Sequence, residues 1–512
     1  MAKVKAACPN CQKTFLVAAE VIGKKAKCAG CQKPFVLSPI ARPTSSSAKQ
    51  QQKGIAQPSA SKTDGGFPNG SQAHGASDQL GSPKQQTLNA STKIKKLQPL
   101  LANKSINTGR VSILYRINIL FTTLVMLLLP VVYVCLIALV CYLVFYHATH
   151  NGGMMGMVRG RGVIFMGILF VAPIVGGVVL VFFMFKPLLA KPGRSQRKRK
   201  VNAKGEPVLF WFVERICKIV GSPVPRQIYI THDINAAASF EHGMRSAIAG
   251  RNLSLHVGVP LVGGTTLQQF GGVLAHEFGH FSQGAGMRLS LFIRSVNHWF
   301  ARVVYERDAW DEALASLIDE DTDFRLALIV LFVQFCVFVS RGILWLLMMV
   351  GHTVSCSLLR QMEFDADKYE IQFAGSENFE QTSDRLQVLN ASYGKMIPSI
   401  VNAALQQKTV KDLPKSILEK TKGLEPMMVQ EILKLSHGRK TGLLDTHPSD
   451  AQRIEKAREA SAEGVFHCTA PASILFSNYQ MTSESITDDF YRNEFGVTKQ
   501  MIRDQPKRKR RR

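Results

Sequence analysis

Acidic residues are scarce: the 512-residue chain has 37 Asp and Glu against 63 Lys and Arg, a formal net charge of +26. Such an excess points to an anionic partner, either a lipid leaflet or a nucleic acid. Aromatic residues interleaved with the basic ones, which would favour nucleic acid, are missing, so anionic lipid head groups are the more economical partner. The opening residues Met1-Ala-Lys-Val-Lys-Ala have no apolar core, and a signal peptide is not expected. Large apolar residues are few between Ser38 and Asn103, where Ser, Gln, Lys, Pro and Gly dominate. Residues 39–110 are therefore expected to be a disordered basic tether, and 501–512 an unstructured polybasic tail. Six cysteines (Cys135, Cys141, Cys217, Cys336, Cys356 and Cys468) have no pairing pattern and carry no assigned role.

Apolar runs are abundant. Ile117 to Tyr146 and Val163 to Phe185 are each long enough to cross about 30 Å of hydrocarbon, giving a two-helix anchor over 111–190. Lys93, Lys95, Lys96, Arg110 and Arg116 precede the pair, and Lys186, Lys191, Arg194, Arg197, Lys198, Arg199 and Lys200 follow it. The connection holds only Arg159 and Arg161, so a multi-pass cell (inner) membrane protein is expected, with both flanks cytoplasmic. A third stretch, 326–350, is broken by Gln334 and Arg341, and 287–305 carries Arg294, His298 and Arg302 as one polar stripe. Three cations are costly inside a span, so these two are read first as helices packed on the domain or lying at the interface. A membrane-crossing hairpin is the second reading.

His276-Glu-Phe-Gly-His280 carries the chemistry. On a helix the two imidazoles stack at i and i+4 towards one point, and Glu277 stands beside them, placed to take a proton from a water held by the metal. Thr266 and Gln269 make a capping box for that helix, and Phe270, Val273, Leu274 and Phe281 give it an apolar side. Glu363 in Arg360-Gln-Met-Glu-Phe-Asp-Ala-Asp367 is the candidate third ligand. Asp367 lies one turn on and would fix the tautomer of a ligating histidine, and Arg360 would orient either carboxylate. At the N-terminus, Cys8-Pro-Asn-Cys11 and Cys28-Ala-Gly-Cys31 have zinc-ribbon spacing, and residues 1–38 are expected to fold as two small hairpins on a structural zinc.

HEFGH after Gly272-Val-Leu-Ala, then RQMEFDAD, then Thr446-His447-Pro448 with Arg453, resembles the HtpX-like family of integral-membrane zinc metallopeptidases. That family also includes the CAAX prenyl endopeptidases and the mitochondrial Oma proteases. The resemblance runs from about Pro223 to about Arg458, with Asn235 in the loop before an edge strand. It implies His276, His280 and Glu363 on a catalytic zinc, Glu277 as base and Asp367 and Arg453 behind them. It also implies His447 near the developing oxyanion, although a His-Pro pair alone marks a turn. Ser246 to Ala249 and Leu253 to Val257 read as two strands. Peptidases of this kind bind extended substrate on an edge strand, here assigned to Asn235, Leu253 and Leu255, with plain scaffold as the alternative.

The expected fold is a mainly α membrane protein with a gluzincin-type domain and a small β-sheet over 191–460, followed by a packing segment over 461–500. The expected function is endoproteolysis of membrane or membrane-proximal proteins, using one catalytic and one structural Zn2+. The alternative is a catalytically silent zinc-binding scaffold whose ribbon recruits protein or nucleic acid.

Overall fold

The computed structural model describes residues 3–7, 14–18, 25–27, 34–36, 89–106, 108, 113–153, 162–189, 198–241, 246, 252–282, 285–306 and 324–503. They fall into two units, Met1–Leu88 and Asn89–Arg512. In the first, β1 (Lys3–Ala7) pairs antiparallel with β2 (Thr14–Ala18), and β3 (Lys25–Lys27) with β4 (Pro34–Val36), as two separate hairpins. Cys8, Cys11, Cys28 and Cys31 fall in the hairpin connections, outside the described residues.

The second unit opens with α1 (Ala90–Leu101), followed by two apolar helices, α2 (Ile113–His150) and α3 (Gly162–Phe185). Next come β5 (Arg199–Lys200), α4 (Pro207–Val220), β6 (Gln227–Thr231), β7 (Ala236–Phe240) and β8 (Leu253–Gly258). The strands form one mixed sheet in the order β5-β6-β8-β7, with β8 parallel to β6 and antiparallel to β7. Short α5 (Val259–Gly264) leads into α6 (Leu267–Ser282), α7 (Ala285–Tyr305) and the 51-residue α8 (Phe324–Ala374). The chain then runs through α9 (Ser376–Leu405), α10 (Leu413–Lys422), α11 (Pro426–Gly438), α12 (Asp450–Ala460), α13 (Tyr479–Phe495) and α14 (Lys499–Arg503).

Residues 90–101, expected to belong to the disordered stretch, are an ordered helix. Ile94, Leu97 and Leu101 share a face of α1; Leu97 and Leu101 are buried in the same core as Phe212 of α4. Lys93 Nζ donates to the carbonyls of Ile474 and Phe476 at 2.9 and 3.2 Å. Averaged over a polar stretch, this one amphipathic face was invisible in composition. The segment after α12 joins the same core through Phe466, Leu475, Ile486 and Phe490. The expected strand 246–249 lies outside the described residues apart from Ser246.

Among the described residues, three stretches are long and apolar enough to cross a membrane: Tyr115–His150, Gly162–Leu188 and Ala327–Ala374. Helices α7 and α8 pack against each other. They run antiparallel, with Asn297 Nδ2 donating to Ser355 Oγ at 2.8 Å and Arg341 donating to the Glu306 carbonyl at 3.2 Å. Both pack along α2, and α8 also along α3, around Met126, Tyr133, Met184, Ile293, Phe300 and Leu344. Of the polar stripe on α7, Arg294 is met by Glu363 of α8, a partner that composition does not reveal, and His298 is exposed.

Helix α6 begins at a reciprocal capping box: Gln269 N donates to Thr266 Oγ1 at 3.2 Å and Thr266 N to Gln269 Oε1 at 3.1 Å. Its apolar face buries Phe270, Leu274 and Phe281. Gly279 lets it approach α8 closely, since a Cβ there would lie 2.7 Å from Tyr369 Cδ2. Gly279→Ala should therefore cost about 1–3 kcal/mol through overpacking. A thermal melt of the detergent-solubilised variant checks this, with an unchanged midpoint as the contrary result.

Candidate metal centre

Two helices build the site. From α6 come His276, Glu277 and His280; from α8 come Glu363, Asp367 and Glu370, spaced so that all three carboxylates share one face. Glu363 and Asp367 are only 4% and 2% exposed, so each must be compensated by cationic or hydrogen-bonding neighbours. Glu363 Oε2 lies 3.5 Å from His276 Nε2, and its Oε1 lies 3.8 Å from His280 Nε2. Arg294 of α7 donates to the same Oε1 at 3.0 Å, and His447 Nε2 stands 3.6 Å away. Asp367 is held from both sides. Arg453 of α12 forms a two-pronged pair with it at 2.9 and 2.5 Å, and His276 Nδ1 lies 3.0 Å from its Oδ1. Glu370 Oε2 is 3.9 Å from the same Nδ1.

The donor atoms of His276, His280 and Glu363 all lie within 4.8 Å of one another. Ligands about 2.0–2.1 Å from a tetrahedral zinc are ~3.3 Å apart, so the separations to Glu363 are close to those a bound ion would draw together. The buried Nδ1 of His276 makes no well-aligned hydrogen bond. A metal at Nε2 would leave the proton on Nδ1, with Asp367 beside it as acceptor. The residues present therefore fit a zinc ion.

The electrostatics agree. Burial, and then neighbouring His276, push the His280 pKa down to about 3, so at neutral pH one ring nitrogen keeps its lone pair for a ligand bond. Burial also lowers His276, but Asp367 and Glu363 outweigh it and hold its pKa well above the ordinary imidazole value. A metal entering here displaces a proton. Burial, then Glu363, raises Glu277 above the usual carboxylate range, making it the stronger base. Its Oε2 accepts from the backbone N–H of Ala238 on β7 at 3.3 Å.

Residues 213–461 match the family model for Peptidase family M48. That stretch belongs to peptidase family M48. M48 enzymes are zinc metallopeptidases, which agrees with the donor set on α6 and α8. No curated protein and no solved structure matches the chain.

Within the M48 domain, some expected residues occupy other places. Leu253 and Leu255 cannot form a substrate edge: β8 is paired on both sides, and their side chains are buried in the core. The edge strand beside α6 is β7, with Asn235 at its start accepting from Gly258 N at 2.8 Å. Strand order, unlike strand propensity, was not readable from the chain. Arg360 orients neither carboxylate; it donates to the carbonyls of Leu443 and Asp445 at 3.2 and 2.7 Å. Arg294, Glu370 and Ala238 were missed as site residues. The polar stripe on an otherwise apolar helix was the signal for Arg294, and the 363–367–370 spacing was the signal for Glu370. Nothing in the sequence marked Ala238.

Removing Arg453 alone strands a buried carboxylate. Arg453→Met should cost about 3–5 kcal/mol and weaken zinc binding, and adding Asp367→Asn should recover part of the stability. Melts of both variants and a zinc titration of Arg453→Met are the checks; equal losses in the single and double variants would contradict the pairing.

Proposed function

We propose that the chain is a membrane-anchored zinc endopeptidase acting on membrane or membrane-proximal proteins. The observation that carries this reading is the convergence of His276, His280 and Glu363 beside Glu277, whose carboxylate is tethered to an edge strand. When bound, zinc supplies Lewis acidity to a scissile carbonyl and to the attacking water. His276, His280 and Glu363 hold the ion. Glu277 takes the proton from the attacking water, and burial, which raises its pKa, makes it the stronger base for that transfer. His447 Nε2, 3.6 Å from Glu363 Oε1, is placed to donate to the developing oxyanion. The free side of β7 pairs with the backbone of an extended substrate, which delivers the scissile bond next to Glu277. Asp367 and Arg453 position His276.

The apolar helices α2, α3 and the first half of α8 anchor the enzyme in a bilayer. Their solvent-facing surfaces are apolar, including Ile117, Leu120, Phe121, Ile164, Phe165, Ile168, Phe335 and Phe338. Because α1 precedes the first span and packs in the peptidase core, α1 and the peptidase domain occupy one side of that bilayer. The distribution of cations makes it the cytoplasmic side, and the ribbon cysteines hold a second, structural zinc there.

The expected result with the purified, detergent-solubilised protein is two zincs per chain and cleavage of casein. Glu277→Gln should retain both zincs and lose at least ~10²-fold in rate. Cys8→Ser with Cys11→Ser should remove one zinc and leave casein cleavage intact. Wild-type rates in Glu277→Gln, or a zinc stoichiometry that survives His276→Ala with His280→Ala, overturn the catalytic reading.

A further inference from the structure

The segment joining α11 to α12 is a strap clamped onto α8 by its backbone. The Leu444 carbonyl accepts from His352 Nε2 at 2.9 Å, and Arg360 takes the carbonyls of Leu443 and Asp445 at 3.2 and 2.7 Å. With those carbonyls turned inwards, the two leucine side chains are left outside, Leu443 at 77% and Leu444 at 44% exposure. Arg439 and Lys440 stand exposed just before them, and the nearest carboxylate to Arg439 is Asp445 at 3.7 Å.

The position of the strap along the helical bundle gives this exposure a meaning. The exposed apolar face of α8 runs from Leu328 to Val350, and His352 is half a turn further on. Helix α2 runs antiparallel beside it: a Cβ on Gly351 would lie 2.7 Å from Leu129 Cδ1 and 3.3 Å from Met126. Residues of α2 before Met126 are therefore level with 352–360 of α8. There α2 still exposes Ile117, Leu120, Phe121 and Leu124. The strap thus lies at the height where the apolar belt of one helix ends and that of its neighbour continues. Exposed leucines next to cations at such a height suit the boundary between acyl chains and anionic head groups.

We propose that the strap is a membrane-contacting element, with Leu443 and Leu444 entering the head-group boundary and Arg439 and Lys440 meeting anionic lipid. This rests on the membrane reading given above. Its consequence is local: His447 lies three residues beyond Leu444, so the bilayer surface itself holds the strap that carries His447 to Glu363.

The test uses the full chain in nanodiscs of phosphatidylcholine and phosphatidylglycerol whose acyl chains carry bromine near the head-group end. Trp345 is 46% exposed on the apolar face of α8, so the parent protein should lose part of its tryptophan emission to the bromine. Leu443→Trp should add emission that bromolipid quenches and that aqueous iodide reaches poorly. Leu444→Trp is the second variant, with the same expectation, should the first fail to fold. Added emission quenched by iodide and untouched by bromolipid in the folded variants overturns the proposal and points to a protein partner or open water. A parent protein with no bromolipid quenching overturns the membrane reading itself, and the strap proposal falls with it.

Discussion

A carboxylate cannot stay charged inside a protein unless something answers it, and this fold buries three on one face of α8. Glu363, Asp367 and Glu370 are answered by groups from four other places: His276 and His280 on α6, Arg294 on α7, His447 on the strap and Arg453 on α12. Each answering group fixes the element that bears it. The arrangement around α8 is therefore as much an electrostatic assembly as an apolar one. The same face that demands compensation is the one whose donor atoms suit a metal, so the requirements of folding and of chemistry meet on one helix surface.

Helix α8 links two environments. Its 51 residues extend roughly 75 Å as one continuous rod. One half packs with α2 and α3 and exposes an apolar surface; the other half carries the acidic face to α6. An apolar segment and the segment bearing the carboxylate donors, joined in one helix, keep the site at a fixed height relative to the apolar belt. Gly279 on α6 and Tyr369 on α8 set how near the two site helices come, and the imidazoles and carboxylates can converge only at that short distance.

Much of the centre was legible in the chain. The HEFGH spacing, the Thr266–Gln269 box and the i to i+4 pairing of Glu363 with Asp367 are local, and a helix of known pitch projects them without further information. What stayed hidden was non-local. The edge strand turned out to be β7 because β8 is inserted between β6 and β7, a crossover that strand propensity does not encode. Arg360 had carboxylates within reach by sequence count, yet its guanidinium found the strap carbonyls, supplied by residues some 83 to 85 positions away. Helix α1 was not legible because Ile94, Leu97 and Leu101, which share one face, acquire a partner only when α4 folds beside them.

The sequence by itself determined the residue types and the local periodicities: two imidazoles and a base on one helix turn, an acidic face on another, and apolar stretches long enough for a bilayer. Those follow from pitch and composition, which depend on neighbours a few residues apart. Tertiary structure alone decided which edge faces Glu277, which cations compensate the buried carboxylates, and which leucines are left outside. Those depend on elements far apart in the chain meeting in space, and burial acquires its energetic weight only once they have met.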